Sequence, residues 1–279
     1  MRTYALTMLL MLAPAATHAQ VEVSAPAAAR TEVGQLTGAR YRIDIPARWN
    51  GELVMYFHGY EVPGELRSKE MRLPRIGSAL VARGYAFAQS EYSGQGWVAR
   101  EAIGETDALR KLVERRLGRP KRRIAIGGSF GGLLALASAE RTKGLYNGVL
   151  TTCGINAPTG MLADHVLDVL VGFETLFPGV LPTGPDGLAG AGAPIMLDDG
   201  ASAKITAALR RDAASAAVLA RRAEVRPESL PDTIWLYWAV LQDMKVRAGG
   251  LPVGEAPALP RECAGSPVAR DPAAADGAC

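Results

Sequence analysis

The stretch that most constrains this chain is Arg123-Ile124-Ala125-Ile126-Gly127-Gly128-Ser129-Phe130-Gly131-Gly132-Leu133-Leu134. A short β-branched apolar run meets a glycine pair, a serine and two more glycines. Strong helix formers then continue from Leu133 to Ala139. This order predicts a buried strand, a very tight turn and a helix that starts at once. Gly127, Ser129 and Gly131 stand at the spacing G-x-S-x-G, which suits a strained turn that lifts the serine hydroxyl clear of a sheet. Bulky neighbours would collide in such a turn, so both flanks need small residues. The helix that follows aims its free N–H groups and positive end at the place where negative charge would develop on a reacting oxygen. The alternative is a glycine-rich turn whose serine only caps the helix.

Strand and helix signals alternate on either side of that turn. Tyr41, Ile43 and Ile45 alternate with Arg40, Arg42 and Asp44, which predicts a half-buried strand within 35–45. Leu53 to Phe57 is continuously apolar, as in a strand covered on both faces, and it stops at His58-Gly59-Tyr60. A helix over 73–83, a strand over 85–90 and an amphipathic helix over 105–117 lead to the serine turn, and Gly148 to Cys153 reads as another buried strand. This rhythm predicts an α/β fold with a mainly parallel, doubly wound sheet. Such sheets bind ligands at the carboxyl ends of their strands, where the loops after Phe57, Ser90 and Ile126 meet.

Beyond Gly154 the rhythm becomes helical. Helices are expected over 161–176, 203–223 (with Ser202 as a cap) and 231–246, around a glycine- and proline-rich stretch at 177–194. The domain plan is therefore a core over 20–154 and a helical cap over 155–249. A tail over 250–279 has no periodicity and reads as disordered or aberrant. Residues 1–19 read as an export signal, with a cut expected before Gln20 at Thr17-His18-Ala19. The mature protein is then expected in the periplasm or outside the cell. No stretch is apolar for long enough to span a bilayer, so no membrane partner is expected after signal removal.

A hydrophobic content of 48% is ample for a core, and the formal charge is only +3. Lys121-Arg122-Arg123 is the one tight basic cluster. Without a basic stripe interleaved with aromatics, no nucleic-acid partner is expected. Of the three cysteines, Cys153 reads as a small buried hydrophobe, and Cys263 and Cys279 could pair in an oxidising compartment. No spacing suggests a metal site, and no cofactor is implied.

The runs Tyr56-Phe57-His58-Gly59-Tyr60, Glu91-Tyr92-Ser93-Gly94-Gln95-Gly96 and Gly127-Gly128-Ser129-Phe130-Gly131-Gly132 resemble the α/β-hydrolase superfamily over residues 35–245. More narrowly, they resemble its secreted bacterial esterases and prolyl-oligopeptidase-like hydrolases. The resemblance implies an ester or peptide substrate and Ser129 as nucleophile. It implies an oxyanion hole from the N–H of Phe130 and an N–H of the loop after Phe57, that of Tyr60 or Gly59. His58 is implied to hold that loop rather than act as a base.

The family's acid and base lack clear counterparts here. His165 alone among the three histidines follows Ser129, and it falls in a cap helix. Asp198 and Asp199 mimic a strand ending in an acid, yet they also suit a turn into a helix. Asp164 and Asp168 suit a solvated helix face. The expectation is a hydrolase front whose last strands are lost through a premature stop or frameshift, impaired or reduced to a non-catalytic binding protein, with an open sheet edge.

Overall fold

The computed structural model describes residues 30–252. The signal segment, its expected cut, Cys263, Cys279 and nearly all of the tail lie outside the described residues. Six strands form one mixed sheet in the order β1-β2-β4-β3-β5-β6. They are β1 (Arg30–Leu36), β2 (Ala39–Ile45), β3 (Glu52–Phe57), β4 (Ala86–Ser90), β5 (Arg122–Gly128) and β6 (Gly148–Thr152). β3 to β6 run parallel, and β2 joins β4 antiparallel.

The strand read within 35–45 is β2, and the residues before it, from Gln35, belong to β1 and to a hairpin turn. Thr37 and Gly38 both have positive φ (51° and 86°), as a two-residue turn that follows the strand twist requires. β2 also departs from simple alternation. Asp44 is fully buried, because Arg42 and the Thr31 hydroxyl bond its carboxylate.

Helices cover both faces. Leu53, Met55, Phe57, Ala86, Ala88 and Ala125 pack against α2 (Ala99–Leu117) and α3 (Phe130–Arg141). Val54, Phe87 and Ile126 point the other way, towards Val81 of α1 (Arg75–Ala82). Alternate residues of each strand are thus apolar on both faces, which explains the continuous hydrophobic runs.

α4 (Thr159–Leu176), α5 (Asp199–Arg211), α6 (Ala213–Arg222) and α7 (Leu230–Ala248) build a second apolar cluster around Phe173, Ile234, Trp238 and Leu241. The single helix expected over 203–223 is two helices. Asp212 breaks it and caps α6 by accepting from the Ser215 N–H (3.0 Å). Asp198, rather than Ser202, caps α5 by accepting from the Ala201 N–H (2.7 Å). The turn reading of Asp198 and Asp199 therefore holds.

β6 corrects another expectation. Among the described residues it pairs only with β5 and lies at the sheet edge. Val149 and Leu150 are 37% and 47% exposed, and Cys153 is exposed rather than buried. With no neighbour on that side, the apolar side chains have nothing to pack against.

Candidate active site

The chain crosses the sheet from β3 to β4 on one side and returns to β5 on the other. The crevice of an open α/β sheet lies where the order reverses, here outside the carboxyl ends of β3 and β5. Ser129 follows β5 directly and His58-Gly59-Tyr60 follows β3, so both groups border that crevice.

Ser129 has φ 52° and ψ −125°, a conformation side chains rarely adopt, and its side chain is exposed and does not cap α3. The turn is held from both sides. The Ser129 N–H donates to the Thr152 carbonyl (3.0 Å), and its carbonyl accepts from the Gly132 N–H (2.9 Å). Glycine is obligatory around it. A Cβ on Gly131 would overlap the carbonyl oxygen of Phe57, and one on Gly127 would overlap that of Gly131. A Cβ on Gly59 would lie 3.9 Å from the Ser129 Cβ, which places the loop after β3 against the serine. Phe130 opens α3, so its N–H has no acceptor within the helix and stands at the positive end of the helix dipole.

The aromatic rings of this region join three loops. Phe130 packs on Trp97 (ring centroids 4.5 Å apart) and edge-on to Tyr60 (6.2 Å). Asp243 of α7, only 2% exposed, accepts from the Tyr60 hydroxyl (3.1 Å) and the Trp97 N–H (2.6 Å). Arg247, one turn on, donates to the same carboxylate (2.9 Å) and to the Gln95 carbonyl (2.7 Å). Burial and the neighbouring Asp243 push the Tyr60 phenol far above its ordinary value, so it is a neutral donor. Helix α7 thus clamps the loops that border Ser129. Asp243, Trp97 and Arg247 were not singled out from the sequence. The available signal was three polar residues, Gln242, Asp243 and Lys245, following the apolar stretch Ile234 to Leu241 of that helix. Lys245 in turn holds the glycine-rich stretch through the Leu188 (2.7 Å) and Gly190 (2.5 Å) carbonyls.

His58 shares a 2.8 Å contact between Nδ1 and the Gly59 carbonyl, and its ring stacks on Tyr92 at 3.9 Å. Its Nε2 is buried without a partner, and desolvation holds the ring below the ordinary imidazole range. This is the geometry of a neutral residue that shapes its loop. His165, half-buried on α4, packs edge-on to Tyr237 (5.8 Å). Neither histidine of the described residues hydrogen-bonds Ser129. Asp168 is exposed and pairs with Arg222, and Asp164 is exposed, as a solvated face requires.

A cavity of about 310 Å³ is lined by His58, Glu61, Arg67, Gln89 and Glu91 among others, and Ser129 does not line it. Among the described residues no cluster of His, Cys, Asp or Glu could hold a metal ion.

The strand order, the two-faced helix cover and the strained serine turn define an α/β-hydrolase fold. No family model matches the sequence, and neither does any curated protein. Among solved structures the chain is similar to a thermostable carboxyl esterase from Bacillus coagulans, at 16% identity, over 52% of this chain and 50% of that one, with a TM-score of 0.36. It is also similar to an esterase from Pyrococcus furiosus, at 18% identity over 54% and 57%, with a TM-score of 0.40. A lidless serine hydrolase from Xanthomonas campestris follows at 13% identity over 44% and 61%, with a TM-score of 0.36. The chain spans only half to about three-fifths of those proteins, and at these scores the fold class rests on the strand order and the Ser129 turn themselves.

Proposed function

We propose that the chain is an exported serine hydrolase that acts on a small ester or amide through an acyl-enzyme on Ser129. The observation that carries this reading is the backbone of Ser129, held at φ 52° between glycines that tolerate no side chain, with its hydroxyl exposed beside the first turn of α3. Strain of this kind persists only where the surroundings enforce it, and it is typical of functional sites. In the reaction Ser129 Oγ bonds to the acyl carbon, and the alcohol or amine departs with the proton that serine loses. Water then cleaves the acyl-enzyme and restores the hydroxyl. The N–H groups of Phe130 and of Tyr60 or Gly59 hold the oxyanion between the two steps.

A serine hydroxyl needs a base to attack quickly at neutral pH. Because His58 and His165 are engaged elsewhere, we propose that the described residues support only slow turnover of activated esters. Losing the histidine base of a serine triad costs about six orders of magnitude in rate, while the oxyanion donors still contribute. That same engagement favours a second reading, a ligand-binding protein that keeps the fold without the chemistry.

A fluorophosphonate probe distinguishes the two. Label on Ser129 that vanishes in Ser129→Ala supports the hydrolase, and an absence of both label and nitrophenyl ester cleavage supports the binding protein. Fast turnover that collapses in His165→Ala overturns the assignment of slow chemistry. Export is tested separately, by whether the mature protein begins at Gln20.

A further inference from the structure

The end of the molecule opposite Ser129 carries a second, unassigned surface. Four loops precede the parallel strands: 46–51 before β3, 83–85 before β4, 118–121 before β5 and 142–147 before β6. They contain Arg48, Arg83, Arg119, Lys121 and Lys143, and no acidic residue. Arg115 and Arg141 stand at the adjoining helix ends. All seven side chains are exposed, and none forms an ion pair among the described residues. Glu140 is an exposed acid beside them, whereas Glu32, Glu52 and Glu114 are already paired with Arg116, Arg122 and Arg123.

The loops form one continuous face. The Asn50 N–H bonds the Gly84 carbonyl (2.8 Å), the Lys121 N–H bonds the Gly51 carbonyl (2.8 Å), and the Asn147 N–H bonds the Arg123 carbonyl (2.7 Å). Four neighbouring strands make that face about 15 Å wide before the helices are added. Two depressions open on it, one of about 280 Å³ beside Arg48 and Arg83 and one of about 490 Å³ among Lys111, Arg115, Arg119, Arg123 and the Arg-paired Glu114.

We propose that this amino-end face docks the protein on an anionic phospholipid surface. Cations spread over four separate loops suit a laterally continuous layer of phosphates, and the depressions accept single headgroups. Nucleic acid suits the face less well. Trp49 is tied inward through its indole N–H to the Glu52 carbonyl (2.8 Å), and Tyr85 and Tyr146 are half-buried, so no ring stands free to stack on bases. The exposed cations of the loops make the proposed contact electrostatic and peripheral. Docking departs from the expectation of no membrane partner. It also turns Ser129, at the opposite ends of the strands, towards soluble substrate.

The test is co-sedimentation of the full chain with phosphatidylcholine vesicles, with and without phosphatidylglycerol. Binding is expected only with phosphatidylglycerol and should be lost as salt rises well above about 0.15 M. The combined change Arg48→Glu, Arg83→Glu, Arg119→Glu and Lys121→Glu should lower the bound fraction at least about tenfold. The same charge change at Arg210, Arg211, Arg221 and Arg226 on the cap should leave it nearly unchanged, with folding of both checked by circular dichroism. Ser129→Ala should bind like the parent, so the result is independent of the hydrolase reading. No binding, equal loss in both charge variants, or tighter binding to a single-stranded oligonucleotide at equal phosphate concentration overturns the proposal.

Discussion

Tyr60 and Asp243, 183 residues apart in the chain, are joined by one hydrogen bond from phenol to carboxylate. The bond fastens α7 to the loop that borders Ser129. The same carboxylate takes the Trp97 N–H and the Arg247 guanidinium, so three donors converge on one buried charge. Replacing Asp243 by Ala leaves those donors without their acceptor and is expected to cost about 3 kcal/mol in urea unfolding. Asp243→Asn should cost less, because it keeps an acceptor oxygen. If both variants unfold like the parent, α7 does not hold the site loops.

Strain at the elbow gives a prediction with opposite signs for stability and chemistry. Ser129→Gly removes a side chain from a backbone at φ 52° and is expected to stabilise the fold by about 1 kcal/mol. It also removes the fluorophosphonate target. Gly131→Ala should instead prevent folding, since its Cβ would sit on the Phe57 carbonyl. A soluble, stable Gly131→Ala protein would show that the turn is not as tight as described.

Stability should fall with acid in two separate windows. Desolvation lowers the folded His58 value, so below about pH 6.5 the unfolded chain binds more protons than the folded one and stability begins to drop. Asp107 and Glu114 act lower on the scale. Burial opposes their ionisation, but bonds from Lys111 and Arg110 to Asp107, and from Arg123 and Arg110 to Glu114, outweigh it and hold both below the usual range. Their contribution is present above about pH 4 and is lost as pH falls further. Thermal melts across pH should show both limbs. His58→Asn should flatten the first, and Asp107→Asn together with Glu114→Gln the second.

The β6 edge predicts association. Among the described residues β6 has one edge without a partner, Val149 and Leu150 are exposed, and no charge lies from Gly144 to Ala163, so the strand lacks the usual protection against edge pairing. Sedimentation velocity should show larger species growing with protein concentration, and Leu150→Lys should keep the chain monomeric. Identical profiles for the two proteins would remove the edge as the cause.

Much of the core was legible in the sequence because its signals are local. The apolar run of β3, the glycine-flanked serine and the helix formers after it fix strand, turn and helix within a few residues. The position of Ser129 on a strained elbow follows from that stretch, because only glycine fits at Gly127 and Gly131. The Thr37-Gly38 hairpin and the break at Asp212 were missed, although each rests on a local turn or cap.

Other features depended on distance in the chain. Asp243 on an apolar helix reads as an ordinary surface acid until folding brings Tyr60 and Trp97 to it. Gly148 to Cys153 reads as a buried strand, because composition records apolarity but not whether a neighbour covers it. The basic face was invisible as a run, since its charges come from four loops that meet only when the parallel strands align their amino ends. Short-range sterics and propensity therefore determined the elbow and most of its flanking elements. Which polar groups share a burial site, which strand is left at the edge and which charges form one surface were decided by the tertiary structure, because each depends on groups that the sequence keeps far apart.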